Sequence, residues 1–569
     1  MPTTTGSAGS SGWNTNAHGS ARWMQPHEAA AVDLFSYNPR KPSGEVTSII
    51  LGQDSKGRPC FLNRQGHVLV LAPPRSGKGL GFVQPNLAAY LGSMVVTDPK
   101  GENAAVSWQY RRDVLKQNVI VLDPTGKLAS YGVTPPIPTH GFNPLLAFDH
   151  ADYAQVIDDI GLVADALLVV KEDSEEQHWR DGARQFLTAL LTYVVFFEDR
   201  QNRNLLFVAR LASQLETPHE DLFGALAFND HPNPEMRDVI ARAGAWWGLV
   251  NEKERASFVS VALRSLAWLN TPVWHDHLTR SDFHPYELKE GNTTLYIVCP
   301  FDKLEQYSPW FRLVLSSCIL AIIRAPNRSP RPTLFMLDEY AATIGRLAIL
   351  EQSIPFIEGV GGRYAMIFQY LSQMQTLWPD PAYHGIFASA GAHIFFNAND
   401  EYTSGYISRY VGKYSAPDMG PCGISYVARD RLMPDEVRCL PETDQIVFMR
   451  GYRPAWLSKL DVRSHRNYKD CLLANPVYAV QGRDVPALGD KSEAPLSKAA
   501  ALLRREESGD LSVDKINATL EKLYPDKQMR YDDKIYGYDE RCFNPATGET
   551  ELVFRPVIHK DFLASLMFP

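Results

Sequence analysis

The sequence predicts an α/β protein whose doubly wound, mostly parallel sheet is interrupted by an all-helical domain. Short apolar runs rich in β-branched residues alternate with helical spacing up to about residue 148. Helical patterns alone fill residues 149–288, and short strand patterns return after them. Short buried strands that alternate with helices are typical of a parallel sheet with helices on both faces. We therefore expect the two strand-rich stretches to form one sheet.

The length of 569 residues also predicts more than one domain, because a single core rarely grows beyond roughly 250–300 residues. The first residues are rich in Ser, Thr, Gly and Pro, which indicates a disordered or loosely attached segment. The predicted division is a lead-in at 1–44, the first part of a nucleotide-binding domain at 45–148, an all-helical domain at 149–288, the second part of the nucleotide-binding domain at 289–472, and a C-terminal extension at 473–569.

Individual elements follow from local patterns. In the first part, strands are predicted at 67–71, 94–97 and 119–122, with a helix over 79–91. The strands of the second part are predicted at 294–298, 333–337, 364–368, 393–396 and 445–449. In the extension, helices are expected at 496–505 and 513–523, and a turn signal predicts a hairpin over 543–553.

The composition of the chain bears on nucleic-acid binding, on the redox compartment and on membrane insertion. The net charge is −8, so any contact with a nucleic-acid backbone requires a local basic surface, such as the lumen of a ring. The seven cysteines have irregular spacing with no C-x-x-C pair, which favours reduced thiols in the cytosol. The amino end lacks the pattern of a signal peptide, and the longest apolar run, Phe186 to Phe197, is shorter than the roughly 20 residues of a membrane span. We therefore expect no transmembrane helix.

One segment has the context of a phosphate-binding loop, because it follows a predicted strand and opens a helix. Its candidate nucleotide-binding residues are Pro74, Arg75, Ser76, Gly77, Lys78, Gly79 and Leu80. The backbone N–H groups of such a loop surround a phosphate, and Lys78 would reach the β- and γ-phosphate oxygens. The usual pattern is broken by Ala72, in place of the first glycine, and by Gly79, in place of the hydroxyl residue that binds Mg²⁺. By itself the loop is equally compatible with a basic glycine turn.

Acidic and amide residues follow two later strands. Asp338 and Glu339 end the apolar run at 333–337, and Gln369 ends the run at 364–368. In P-loop motors the first acid holds the Mg²⁺ shell and the second polarises the attacking water. A glutamine on the neighbouring strand can sense the γ-phosphate or orient water. Asp338 follows Lys78 by 260 residues, so this site requires that the helical insertion separates two halves of one sheet. Strand ends of this kind also occur by chance.

Arg346 and Arg363 are candidates for an arginine that acts on the site of a neighbouring subunit. The ordinary interpretation of each is a surface ion pair.

Several segments, taken in order, resemble the TraG/TraD-like coupling proteins of type IV secretion, over residues 50 to about 465. The matching segments are Arg75–Gly79 (R-S-G-K-G), Asp98–Glu102 (D-P-K-G-E), Asn143–Leu145 (N-P-L), Glu254–Ser257 (E-R-A-S), Leu337–Ala342 (L-D-E-Y-A-A), Phe368–Gln373 (F-Q-Y-L-S-Q), Met433–Val437 and Arg450–Pro454. In that family glycine often follows the loop lysine, so Gly79 fits, whereas Ala72 departs from the usual glycine. The family's N-terminal transmembrane helices and its trans-acting arginine are not matched.

The resemblance implies a RecA-like P-loop NTPase that works as a homo-hexamer with ATP and Mg²⁺. It implies catalytic roles for Glu339, Lys78 and Gln369 and a metal-binding role for Asp338. The implied cargo is single-stranded DNA bound to a relaxase, or effector proteins, passed to inner-membrane components of a type IV secretion system. The implied location is the cytoplasmic side of a bacterial inner membrane, as a peripheral protein.

Two other functions remain open from the sequence. One is a DNA-packaging or chromosome-segregation translocase, which the D-P-K-G-E and N-P-L segments disfavour. The other is a nucleotide-gated receptor with little ATP turnover, which the missing hydroxyl at Gly79 favours. For the extension after residue 472, selection of cargo or of an adaptor is a hypothesis.

Overall fold

A computed structural model of the chain describes most residues between 18 and 559. The described residues are 18–24, 28, 47–62, 66–150, 153–168, 177–325, 331–379, 382–420, 423–477, 529–532, 535–544 and 549–559. The two helices expected at 496–505 and 513–523 lie outside them.

An 11-stranded sheet forms the centre of the protein, in the order β2-β1-β13-β12-β9-β3-β8-β7-β4-β6-β5. Its strands from β9 to β5 in this order are parallel, and β12, β13, β1 and β2 extend it as an antiparallel edge. The strands are β1 (Ile49–Gln53), β2 (Pro59–Leu62), β3 (His67–Leu71), β4 (Met94–Asp98), β5 (Asn118–Leu122), β6 (Thr293–Val298), β7 (Thr333–Leu337), β8 (Gly362–Phe368), β9 (Ala390–Phe395), β10 (Lys413–Gly420), β11 (Gly423–Asp430), β12 (Asp444–Met449) and β13 (Ala455–Ser458).

The burial of the central strands agrees with their parallel arrangement. Every residue of β3, β4, β6, β7, β8 and β9 is buried, as expected for strands covered by helices on both faces. Both stretches of the predicted nucleotide-binding domain contribute to this sheet, so the helical residues are an insertion between β5 and β6. The predicted fold class is therefore confirmed.

Helices of the sheet domain cover its two faces. They span Gly79–Val83, Gln84–Ala89, Glu102–Asp113, Leu304–Arg324, Tyr340–Thr343, Ala348–Ser353, Leu371–Leu377, Ala382–Ser389, Glu401–Val411 and Pro434–Arg438. Among the described residues one helical stretch, Phe301–Arg324, is long and apolar enough to cross a membrane, and 72% of its most apolar window is buried inside the protein.

The inserted domain is built from helices at Tyr153–Leu167, Gln177–Phe197, Leu205–Ala212, His219–Ala227, Pro234–Leu249, Glu252–Leu266 and Trp274–Thr279. Asparagines cap three of them, because the side chains of Asn204, Asn233 and Asn251 accept backbone N–H groups of the first helical turn. The helices at 177–197 and 252–266 pack closely, since a Cβ at Gly182 would lie 2.2 Å from the Phe258 ring.

Part of the lead-in is attached to the sheet domain, which contradicts the expectation of a loose segment for residues 18–24. Trp23 is 2% exposed and packs edge-on against Trp456 of β13, with ring centroids 5.4 Å apart. Ser20 forms a β-bridge with Tyr414 of β10. The aromatic burial outweighs the polar composition of the residues around it.

The extension contributes a separate three-stranded sheet of β14 (Met529–Asp532), β15 (Ile535–Asn544) and β16 (Glu549–His559). Strands β15 and β16 pair antiparallel with Asn544 opposite Glu549, which is the hairpin that the turn signal predicts.

Candidate functional site

Three neighbouring strands end at one place on the sheet. The phosphate loop follows β3, Gln369 follows β8, and Asp338 and Glu339 follow β7. Because these strands are parallel and adjacent in the order β3-β8-β7, their carboxyl ends lie together. Such an edge is where ligands bind in open α/β sheets.

The phosphate loop has the backbone that a phosphate cradle needs. Arg75 and Gly77 have positive φ angles of 63° and 81°, so two residues of the loop adopt left-handed backbone conformations before the helix. The loop is anchored behind by a hydrogen bond from the Ala72 N–H to the Phe368 carbonyl at 2.8 Å. A helix then starts after Lys78, which directs backbone N–H groups toward the loop.

The structure explains one of the two departures from the usual loop pattern, the alanine at residue 72. Ala72 is 1% exposed, continues the pairing of β3 with β8, and is not among the positions with positive φ, so glycine is not required there. A Cβ at Gly79 would meet nothing within 4 Å. The absence of a side chain at residue 79 is therefore not a packing requirement.

Lys78 pairs with both acids. Its Nζ lies 2.8 Å from Asp338 Oδ1 and also donates to Glu339 Oε1. Burial by itself would lower the pKa of Lys78, but attraction by Asp338 and Glu339 outweighs it and raises the pKa. The lysine is thus protonated at neutral pH.

Glu339 is held in a strained conformation. Its φ and ψ of 52° and 46° are left-handed, which is uncommon for a residue other than glycine. Burial alone would raise the pKa of Glu339, but the Lys78 ammonium outweighs it and lowers the pKa. The Gln369 amide donates to Glu339 Oε2 at 2.9 Å. A charged carboxylate is therefore oriented by a cation on one side and an amide on the other.

Strand β4 positions the end of β7. The Thr97 hydroxyl donates to the Asp338 carbonyl at 2.9 Å. One residue later, the buried Asp98 side chain accepts the Ala104 N–H at 2.8 Å, in the first turn of the helix at 102–113. Burial raises the pKa of Asp98 to about 7. The D-P-K-G-E segment thus has a visible structural role beside the site.

Asp338 could hold a divalent cation only together with other ligands. Its Oδ1 accepts from Lys78 and from the Glu339 N–H at 2.9 Å. In the described part of the chain no group of three or more His, Cys, Asp and Glu residues could hold a metal ion. Mg²⁺ usually binds through one or two carboxylates plus phosphates and water. The residues therefore fit a Mg²⁺ that arrives with a nucleotide.

The two candidate arginines have partners within the chain. Arg363 opens β8 at the opposite end of that strand, is 4% exposed, and donates to the Thr47 carbonyl at 2.8 Å. Arg346 pairs with Glu351 at 3.6 Å, the ordinary ion pair considered for it. The burial of Arg363 is unfavourable for contact with a neighbouring subunit.

Lys459 was not predicted as a site residue, although it follows β13 and its Nζ donates to the Ser76 carbonyl of the phosphate loop. No local pattern distinguishes a lysine in the segment Ser458-Lys459-Leu460 from a solvated one.

The sheet order, the loop and the facing acids define the class: a P-loop nucleoside-triphosphatase fold with an inserted helical domain. Solved structures agree with this fold. The bacterial conjugative coupling protein TrwB, in a trigonal form with sulphate, has a TM-score of 0.53 at 16% identity, covering 79% of this chain and 96% of that one. TrwB in complex with ADP and Mg²⁺ has a TM-score of 0.52 at 16% identity, covering 82% and 100%.

The chain is similar in sequence to proteins of conjugative DNA transfer. Protein VirD4 of Agrobacterium fabrum is 27% identical over 550 residues, covering 92% of this chain and 77% of its own. Conjugal transfer protein TraG of Escherichia coli is 26% identical over 495 residues, covering 77% and 75%. Residues 23–481 match the profile described as Type IV secretory system Conjugative DNA transfer. The chain belongs to this family of type IV secretion coupling proteins, which confirms the prediction made from its motifs.

Proposed function

We propose that this coupling protein binds ATP with Mg²⁺ at the Lys78 loop, hydrolyses it, and uses the energy to move cargo into a type IV secretion system. The observation that carries the proposal is the contact of Lys78 with Asp338 and Glu339. Residues about 260 positions apart along the chain meet at one edge of the sheet, and the Gln369 amide donates a hydrogen bond to Glu339. Chance strand ends and a structural glycine turn do not account for this convergence.

Each group has a definite role in the proposal. The loop amides and Lys78 hold the phosphates, so Lys78 exchanges its carboxylate partners for phosphate oxygens when ATP binds. Asp338 would contribute a carboxylate to a bound Mg²⁺, and the ion would neutralise charge on the phosphates. Glu339 accepts a proton from the attacking water, and Gln369 holds the Glu339 carboxylate in place.

The wider setting is inferred from the relatives. Their names describe conjugal transfer and type IV secretion coupling, and TrwB was solved with ADP and Mg²⁺. We infer that the cargo is relaxase-bound single-stranded DNA or an effector protein, and that the protein works as a homo-hexamer. Its proposed place is peripheral, at the cytoplasmic side of a bacterial inner membrane, against inner-membrane components of the secretion system.

The test compares ATP binding and turnover in the unmodified protein and in Lys78→Ala, with and without Mg²⁺ and single-stranded DNA. Loss of the loop cation is expected to weaken ATP binding and to reduce turnover to background. Lys253→Ala removes an exposed lysine from the helix at 252–266 and serves as the matched control. Equal ATP binding by Lys78→Ala and the control would contradict the proposed site.

The second candidate is a receptor that binds ATP and cargo with little turnover. Gly79 favours it, because glycine supplies no hydroxyl to the Mg²⁺ shell. The open space at Gly79 permits a direct test with Gly79→Ser, which adds an oxygen ligand without a clash. If the unmodified protein hydrolyses ATP, Gly79→Ser should lower the Mg²⁺ concentration needed for half-maximal turnover. If the unmodified protein binds ATP without turnover, the receptor function is favoured.

A further inference from the structure

Lys459 is a buried lysine that contacts the phosphate loop through the Ser76 carbonyl. It is 4% exposed, and its Nζ donates to the Ser76 carbonyl at 2.9 Å. It also donates to the Glu442 carbonyl at 2.6 Å and to Asn397 Oδ1 at 3.4 Å. The ammonium lies 4.2 Å from the centroid of the Phe396 ring.

The direct partners of this ammonium are neutral oxygens and an aromatic face. Burial lowers the pKa of Lys459 to about 7, although Asp444 and Glu442 oppose that shift. Keeping a lysine there is costly, because burial disfavours its charged form. A buried lysine of this kind is therefore expected where its hydrogen bonds fix a functional part of the backbone.

The contact with Ser76 controls the direction of a neighbouring N–H group. A trans peptide unit carries its C=O and the following N–H on opposite sides. Because Lys459 Nζ holds the Ser76 carbonyl, the Gly77 N–H of the same peptide unit points away from Lys459. Gly77 has a φ of 81°, which permits this orientation at no steric cost.

We propose that Lys459 is a positioning residue for nucleotide binding, which fixes the Ser76–Gly77 peptide so that the Gly77 N–H faces the phosphates. Lys459 thereby couples the loop to the antiparallel edge of the sheet, since its own N–H donates to the Thr443 carbonyl beside β12. The ammonium does not contact the nucleotide. This inference rests on the proposed ATP site and assigns a residue outside the known loop pattern to it.

The experiment measures ADP affinity and the steady-state KM and kcat for ATP in Lys459→Met. Methionine keeps the unbranched stem and removes the donor. One misdirected N–H to a charged phosphate is expected to weaken ADP binding and raise KM by about ten-fold or more. The kcat should change much less, because Glu339 and Gln369 are untouched.

The matched control is Lys289→Met. Lys289 is 8% exposed and also donates to two carbonyls, those of Ile322 at 2.7 Å and Val360 at 2.5 Å. These carbonyls lie near the amino end of β8, away from the loop. A similar loss of melting temperature in both variants, with weaker ADP binding in Lys459→Met alone, supports the positioning role.

Two outcomes overturn the inference: unchanged ADP affinity in Lys459→Met, or an equal loss of affinity in Lys289→Met. If Lys459→Met does not fold, Lys459→Gln takes its place. Its amide nitrogen is one atom closer to the backbone than the lysine Nζ, so the contact with the Ser76 carbonyl is lost and the ADP affinity must still fall. Failure of the proposed ATP site would give a different result, because Lys78→Ala would then bind ADP with the same affinity as the unmodified protein does. Loss of binding in Lys78→Ala together with normal binding in Lys459→Met refutes only the role of Lys459.

Discussion

Replacing Glu339 by glutamine should separate ATP binding from ATP hydrolysis. Glutamine has the shape of glutamate but cannot accept the proton of an attacking water at neutral pH. The contacts around it can be kept, because its amide oxygen can accept from Lys78 while the Gln369 amide rotates to present its oxygen. Lys78 also retains Asp338 at 2.8 Å, so no buried ammonium is left without a carboxylate. The fold should therefore survive the change.

The size of the effect follows from the role of a general base. Such a group contributes about 10²–10⁴-fold to the rate, which corresponds to roughly 2.7–5.4 kcal/mol of activation free energy. The affinity for ATP should be equal or higher, because one negative charge beside the triphosphate is removed. The lowered pKa of Glu339 means that the unmodified side chain is already ionised at pH 7, so its proton-accepting form is fully present.

The assay combines steady-state phosphate release with binding of a non-hydrolysable ATP analogue, using equal concentrations of folded protein. A kcat for Glu339→Gln within about three-fold of the unmodified value would refute the role of general base. A large loss of analogue binding would instead place Glu339 in nucleotide binding.

Two further predictions concern stability. Trp310 Nε1 donates to His277 Nε2 at 3.1 Å, so this ring is neutral, and burial lowers the pKa of His277 to about 4. Between pH 6.5 and 4 this histidine binds a proton in the unfolded chain but not in the folded one, so the free energy of unfolding decreases by up to about 3 kcal/mol as the pH decreases. His277→Gln should reduce the difference in melting temperature between pH 7.5 and 5. An unchanged difference would contradict this cause. Gly182→Ala should lower the melting temperature, because its Cβ would overlap the Phe258 ring, at a cost of about 1–3 kcal/mol. The control Gly224→Ala, where a Cβ meets nothing within 4 Å, should raise the melting temperature or leave it unchanged, and equal effects of the two would refute the steric argument.

The parallel strands and the meeting of the candidate site residues could be predicted because their signals are local. Apolar runs such as 333–337 end directly at polar residues, and the loop lysine has a recognisable context. The structure then brings Lys78, Asp338, Glu339 and Gln369 together as expected. Their contact required one assumption, that the helical insertion leaves the sheet continuous.

The features that escaped prediction depend on distant pairing. The antiparallel edge brings Gln53 opposite Ser458, and no local pattern indicates that these residues are neighbours. Trp23 looked like part of a polar lead-in, because the ring that covers it, Trp456, comes more than 400 residues later. The left-handed backbone of Glu339 is likewise invisible in the sequence, because Glu rarely adopts it.

The interleaved strand order has a consequence for how the chain acquires its structure during synthesis. None of β3, β4 and β5 neighbours another of these three, since each pairs only with strands that come after residue 292. During synthesis β3, β4 and β5 therefore have no neighbouring strand of the final sheet until the whole insertion has been translated. The inserted helices at 153–279 pack largely against one another, so they can fold before the later strands are made. A nascent chain halted before β6 should thus present a folded helical body beside exposed strand edges, a favourable substrate for chaperones.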